Sequence, residues 1–249
     1  MTRVGPPWRA RSTVRRSTSR RIGFWHRRSV GLGAGPQGHE AQHHERGSSL
    51  SCILPQVYHP HRRLLLASAS PRRSELLTRA GYTFDVMPSG VDEQRLVDES
   101  PEVFVVRMAM AKAIAVANGS EDGCLVLGAD TVVVVDGEVL GKPRDTEDAI
   151  SMLRRLSGRS HEVLTGVAII GGADRRTAVA TSRVTFVDLD DGTIGAYVAT
   201  GELMDKAGAY GIQGIASRFV DRVEGSYTNV VGLPMAVVDH LIKELDDGA

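Results

Sequence analysis

"LLLASASPRRSELLTRAGY" (residues 64–82) passes from an apolar run to an amphipathic helix within a few residues. Leu64–Leu66 have the unbroken apolar character of a strand buried on both faces. Pro71 stands where a helix begins, Leu76 and Leu77 lie on one face, and Gly81 is a usual helix stop. A strand leading straight into a helix is the opening unit of an α/β fold. Ser68, Ser70, Arg72 and Arg73 fall where the strand runs out and the helix N-terminus points. Backbone N–H groups, hydroxyls and two permanent cations there form an anion site, and the planar fork of Arg binds two phosphate oxygens at once. The blander reading, in which the two arginines form surface ion pairs, stands equally open on these residues alone.

The alternation continues downstream. Residues 83–90 read as a second strand, and 100–119 as a long helix with Ser100 as cap and Pro101 in its first turn. Residues 124–140 read as two strands around a Gly-Ala-Asp-Thr break, with Asp136-Gly137 as a hairpin turn. Residues 146–158 form an amphipathic helix opened by Thr146, and 162–172 and 175–189 form long antiparallel strands. A short helix follows at 191–201, and 233–248 make a closing helix. Five glycines between 208 and 232 cut the intervening stretch into pieces too short for ordinary elements, as in backbone that closes around a ligand. A mixed α/β domain with helices over a central sheet follows from this order.

Charge divides the 249 residues unevenly, although the formal net charge is zero. Residues 1–63 hold twelve Arg, no Lys and two acids, whereas the remainder holds 18 basic and 28 acidic residues. The first sixty residues show no sustained period and are rich in Arg, Ser, Gly and His, so they read as a disordered extension preceding a domain over 61–249. "HEAQHHE" (39–45) lacks a scaffold and reads as a solvated polar run. No methionine lies between Met1 and Met87, which suggests a true start near Val57 or Leu64. The alternatives are an Arg/Ser-rich transit peptide or an arm binding nucleic acid without specificity. No secretory or membrane-spanning run is evident, and Cys124, alone in the folded part, reads as a buried thiol suited to a reducing compartment.

Several groups converge on phosphate chemistry. Asp130 sits within an apolar run, where a carboxylate is costly unless it is paired, binds metal or activates water. Asp92 and Glu93, in "VDE" (91–93), offer another carboxylate pair just after a strand, and two acids from separate strand ends could hold one Mg²⁺, although alone the pair reads as a solvated turn. Lys112 on the long helix and Lys142 in "GKPRD" add cations that suit a polyphosphate. Gln213 in "GIQG" presents both an acceptor and donors to a base edge. There is no Walker-type phosphate loop.

The segments "LASASPRR", "VDE", "AKA", "LGADTVV", "GKP", "DKAGAYGIQG" and "GSYTNVVGLP" occur in the order and spacing of Maf proteins, which the chain resembles over about 63–245. The resemblance implies a two-lobed mixed α/β fold with a cleft between the lobes, a homodimer in the cytoplasm, and a nucleoside triphosphate pyrophosphatase dependent on Mg²⁺ or Mn²⁺. It implies Asp130 as proton acceptor, Glu93 as its partner at the metal, and Ser68, Arg73, Lys112 and Lys142 around the phosphates. Arg72, Thr131 and Gln213 match the branch acting on dTTP and UTP, with Gln213 meeting the N3–H and O4 edge of the base. Neither membrane association nor specific nucleic-acid binding is expected. The rival functions are a nucleotide-binding regulator of cell division, under the family's older description as septum-formation inhibitors, and a 7-methyl-GTP pyrophosphatase.

Overall fold

The computed structural model describes residues 60–246. The extension read from the sequence, with its run at 39–45 and Cys52, lies outside them, as do residues 247–249. The described elements are β1 (Leu64–Leu66), α1 (Pro71–Arg79), β2 (Phe84–Val86), α2 (Pro101–Ala117), β3 (Leu125–Val135), β4 (Glu138–Leu140), α3 (Thr146–Leu156), β5 (Ser160–Gly171), β6 (Asp174–Phe186), α4 (Asp191–Val198), β7 (Val220–Glu224), α5 (Tyr227–Val231) and α6 (Met235–Asp246). They build the expected mixed sheet flanked by helices, in the order β2-β1-β3-β5-β6-β7 with β4 on β3. β1 runs parallel to β2 and β3, and every other pairing is antiparallel. No helix among the described residues is long and apolar enough to cross a membrane.

Two expectations need correction. The Gly-Ala-Asp-Thr segment does not interrupt the strand, because β3 is continuous and pairs with β5 from Leu125 to Val134. The interruption is on the opposite edge. There β1 pairs with Leu125–Leu127 and β4 with Val133–Val135, and no strand covers Gly128 to Val132 between them among the described residues. Helix α3 opens at Thr146 as expected, and Asp145 caps it, its carboxylate accepting the Asp148 N–H at 2.8 Å. The glycine-rich stretch also contains a strand, β7, paired with the end of β6. The expected hairpin is present: Asp136 and Gly137 both have positive φ, 54° and 76°, the backbone of a tight two-residue turn.

Strand alternation assigns side chains to two faces. Leu125, Leu127, Ala129 and Val133 join the large core with α1, α3 and α6, whereas Val126, Val132 and Val134 pack toward α2. Asp130 therefore faces α2 and Thr131 the opposite core. Helix α2 approaches the sheet very closely over two glycines. A Cβ on Gly128 would lie 2.1 Å from the Ala109 carbonyl oxygen, and one on Gly166 would lie 2.3 Å from that of Val105. Because these are backbone atoms, the helix itself would have to move, carrying Lys112 with it. Gly128→Ala is expected to lower unfolding free energy by about 3 kcal/mol, the upper range for overpacking, and to reduce turnover. Urea denaturation alongside a rate assay checks both effects.

His161 on β5 is buried between Phe186 and Tyr210, with ring centroids 5.0 and 5.4 Å away, and its Nε2 lies 2.8 Å from the Tyr210 hydroxyl. Its Nδ1 has no hydrogen-bond partner. Burial pushes its pKa down from 6.5 to about 4. The unfolded chain thus takes up a proton that the folded state refuses, and stability present above pH 6.5 is lost as pH falls toward 4. That decline should amount to about 3 kcal/mol. It should flatten in His161→Phe, as thermal unfolding across that pH range would show.

Candidate active site

The uncovered edge of β3 opens onto a cavity of about 770 Å³. The end of β1 and the start of α1 form one wall with Ser68, Ser70 and Arg72, and the loop after β2 brings Glu93. Lys112 rises from α2, and Lys142 comes from the loop beyond β4. All the residues expected around phosphate therefore line one space. Five cations and three carboxylates line it, an excess suited to an anion.

Lys112 forms the centre of the constellation. Its Nζ lies 2.6 Å from Asp130 Oδ1 and 2.5 Å from Glu93 Oε1, while Lys142 Nζ reaches Glu93 Oε2 at 3.2 Å. Lys112 and Asp130 are both buried, and Glu93 is partly open to solvent. Burial raises the Asp130 pKa despite the opposing attraction of Lys112 and Arg73, and nearby Glu93 adds to the rise. Burial acts upward on Glu93 too, but hydrogen bonds and charge from Lys112 and Lys142 hold it below the ordinary value. Two neighbouring carboxylates are thus driven apart, one toward proton uptake and one toward permanent charge, the pattern that divides acid–base roles.

Arg73 departs from the simple picture of a phosphate-facing cation. It is buried and donates through Nε to the Gly232 carbonyl at 2.9 Å, through Nη1 to Ser68 Oγ at 3.1 Å, and through Nη2 to Thr131 Oγ1 at 3.1 Å. Burial lowers its pKa. Ser68 Oγ also accepts the Ser70 N–H at 3.2 Å. Thr131 lies 3.0 Å from Thr165 Oγ1 and donates toward the Gly232 carbonyl at 3.3 Å. Arg73 therefore braces the strand end, β3 and the turn after α5 as well as lining the cavity. Gly232 holds its carbonyl in that place with φ 122°, which few other residues adopt.

Gln213 does not line the main cavity. It stands exposed at a hollow of about 70 Å³, together with Arg72, Thr131, Tyr210 and Ile212. The three residues matched to substrate choice thus share one small hollow, and Arg72 and Thr131 line both spaces. Arg72 is held by Asp205, at 2.7 Å from the carboxylate and 3.3 Å from the carbonyl. Sequence reasoning did not single out Asp205 or Arg95, which also line the cavity. Asp205 stands in "DKAG", and Arg95 two residues beyond Glu93, so spacing alone offered the only signal.

Glu93 and Asp130 are the groups that could hold a metal. Both reach the same ammonium nitrogen, so their oxygens converge at the cavity wall. No cluster of three or more His, Cys, Asp or Glu suited to a metal occurs among the described residues. Two hard oxygen donors fit Mg²⁺ or Mn²⁺, which keep waters and take further oxygens from a substrate phosphate.

A family model described as Maf-like protein matches residues 63–245. The chain is also similar to three proteins called dTTP/UTP pyrophosphatase. That of Geobacter metallireducens is 55% identical over 179 residues, covering 71% of this chain and 92% of that protein. That of Hahella chejuensis is 49% identical over 185 residues, covering 74% and 92%. That of Escherichia coli O157:H7 is 48% identical over 183 residues, covering 74% and 93%.

Proposed function

The chain belongs to the Maf family, and from that premise we propose that it is a nucleoside triphosphate pyrophosphatase, hydrolysing dTTP and UTP to the monophosphate and pyrophosphate. Support comes from relatives about half identical that carry this name and are matched over more than nine-tenths of their length. The observation that carries the reading is Lys112 bridging Asp130 and Glu93, whose affinities for protons are pushed in opposite directions, at the wall of a cation-rich cavity.

In the proposed reaction Asp130 takes a proton from the water that attacks the α-phosphorus, the bond to the β-phosphate oxygen breaks, and pyrophosphate leaves. Lys112 sits against Asp130 and orients it. Lys142, Arg72 and the helix N-terminus at Ser70–Arg72 offset charge on the triphosphate and the departing pyrophosphate. Ser68 and Arg73 hold the strand end in shape around them. Glu93 and Asp130 would hold Mg²⁺ or Mn²⁺, which supplies further neutralisation of phosphate charge when bound. Gln213, Thr131 and Arg72 would receive the base at the smaller hollow. Clearing modified pyrimidine nucleotides before their incorporation into nucleic acid suits this activity, and the cytoplasm and a homodimer follow from the family resemblance.

The test is pyrophosphate release by the full chain with Mg²⁺ or Mn²⁺, across dTTP, UTP, CTP, dCTP, GTP and 7-methyl-GTP. Turnover concentrated on dTTP and UTP is expected. A preference for 7-methyl-GTP would overturn the base assignment and leave the chemistry. Nucleotide binding without turnover of any substrate would favour a regulator instead. Gln213→Glu is expected to change the ranking of UTP over CTP, because it removes the amide donors from the base edge.

A further inference from the structure

A carboxamide can rotate by half a turn and exchange its donor for its acceptor. Gln213 alone therefore does not choose uracil over cytosine. The choice needs the backbone around it to stand in a fixed place, so that only one orientation of the amide suits both the base and its surroundings. That backbone is glycine-rich, with Gly211 and Gly214 on either side of Ile212 and Gln213, and would wander without external support.

The support comes from α4 and the turn after it. On one side of Gln213, the Gly211 N–H donates to the Tyr197 hydroxyl at 3.3 Å. On the other, the Ile215 N–H donates to Glu202 Oε2 at 3.1 Å. Tyr197 in turn donates to Glu202 Oε1 at 3.4 Å, closing the two anchors into one network. The loop lies directly on these groups: a Cβ on Gly214 would stand 2.0 Å from Glu202 Oε1, and one on Gly211 2.7 Å from Lys206 Cε. Lys206 Nζ donates to the Glu202 carbonyl and to Asp205 Oδ1, and Asp205 holds Arg72. Tyr197 is buried against Phe219, ring centroids 5.1 Å apart, so its hydroxyl has little freedom to leave. The segment from Tyr197 to Lys206 thus grips the backbone flanking Gln213 with one end and Arg72 with the other.

We infer that Glu202 is a positioning residue for base selection: its carboxylate, with the Tyr197 hydroxyl, fixes the backbone on both sides of Gln213. The inference rests on the proposed reading of Gln213 as the group that meets the base.

The experiment measures kcat and KM for UTP, dTTP and CTP with the full chain, as native protein, Glu202→Ala, Glu202→Gln, Tyr197→Phe and Gln213→Ala, each with its melting temperature. Glu202→Ala is expected to lower the UTP-to-CTP ratio of kcat/KM by about tenfold, through KM for UTP rather than kcat. Glu202→Gln keeps an oxygen that accepts the Ile215 N–H and should retain most of the ratio. Tyr197→Phe removes one anchor and should move the ratio the same way by less, which keeps the inference testable should Glu202→Ala fail to fold. The inference is overturned if Gln213→Ala collapses the ratio while the Glu202 and Tyr197 variants leave it intact. It is equally overturned if Glu202→Ala lowers kcat for all three nucleotides by one common factor, as a purely structural loss would. If Gln213→Ala itself leaves the ratio unchanged, the reading of Gln213 fails first and the inference falls with it.

Discussion

Asp130→Asn is expected to reduce pyrophosphate release by roughly a thousandfold, within the range for loss of a general base, while raising the melting temperature. The two effects share one cause. Burial makes the folded state hold the Asp130 proton more tightly than the unfolded chain does. The favourable contribution is therefore complete below the ordinary carboxylate value of 3.8 and is lost as pH rises through the raised folded value. As pH rises the native protein must ionise a carboxylate in a poor environment, and Asn carries none. For a domain of this size, each kcal/mol so recovered should raise the melting temperature by about 2–4 °C. Calorimetry of both proteins at pH 7 and pH 4, with a chelator present, should show the gap narrowing at the lower pH. Turnover by the Asn variant within tenfold of native would remove Asp130 from the role of base.

Lys112→Met should have the largest effect on stability. It deletes the one ammonium that contacts both Asp130 and Glu93 and leaves the buried Asp130 carboxylate without that ammonium. Removing one partner of a buried pair typically costs roughly 3–5 kcal/mol. The loss should depend on pH, because without Lys112 the Asp130 proton is held more tightly still. Destabilisation should therefore grow from pH 5 to pH 8. In the Lys112→Met background Asp130→Asn should recover about 1–2 kcal/mol more than it gains in the native protein, a non-additivity expected of groups in contact, and the double variant should remain inactive. Urea denaturation of the four proteins at the two pH values measures the cycle. A strictly additive double variant would mean that the Lys112–Asp130 contact contributes nothing in solution.

Local pattern made much of the molecule legible. The turn at Asp136-Gly137 was readable because two adjacent residues suited to positive φ separate apolar runs. Helix α2 was readable because Ser100 and Pro101 mark its start and an apolar stretch follows. Ser68, Arg72, Glu93 and Lys142 converged because a strand end, a helix start and loops after strands carry them, a placement that an α/β order already implies, whereas Asp130 lies within β3 and Lys112 on α2. Asp130 is conspicuous in the sequence as a carboxylate among apolar neighbours, but the break lies in the strands covering β3 and not in β3 itself. Interruption in the covering of a strand and interruption in the strand look alike in one sequence.

The sequence by itself determined the order of the elements, which residues carry charge among apolar ones, and the family to which they belong, because each is written in neighbouring residues or in motifs of fixed spacing. Only the tertiary structure decided that β3 is continuous and uncovered on one edge from Gly128 to Val132, that Arg73 turns inward as a brace, and that Gln213 stands at a separate hollow gripped from Tyr197 and Glu202. It also decided that α2 lies directly on Gly128 and Gly166, bringing Lys112 to Asp130. These features depend on which distant segment lies against which, and on how much water that contact excludes. Burial, which raises the proton affinity of Asp130 and lowers that of His161, arises only when segments far apart in the chain have met.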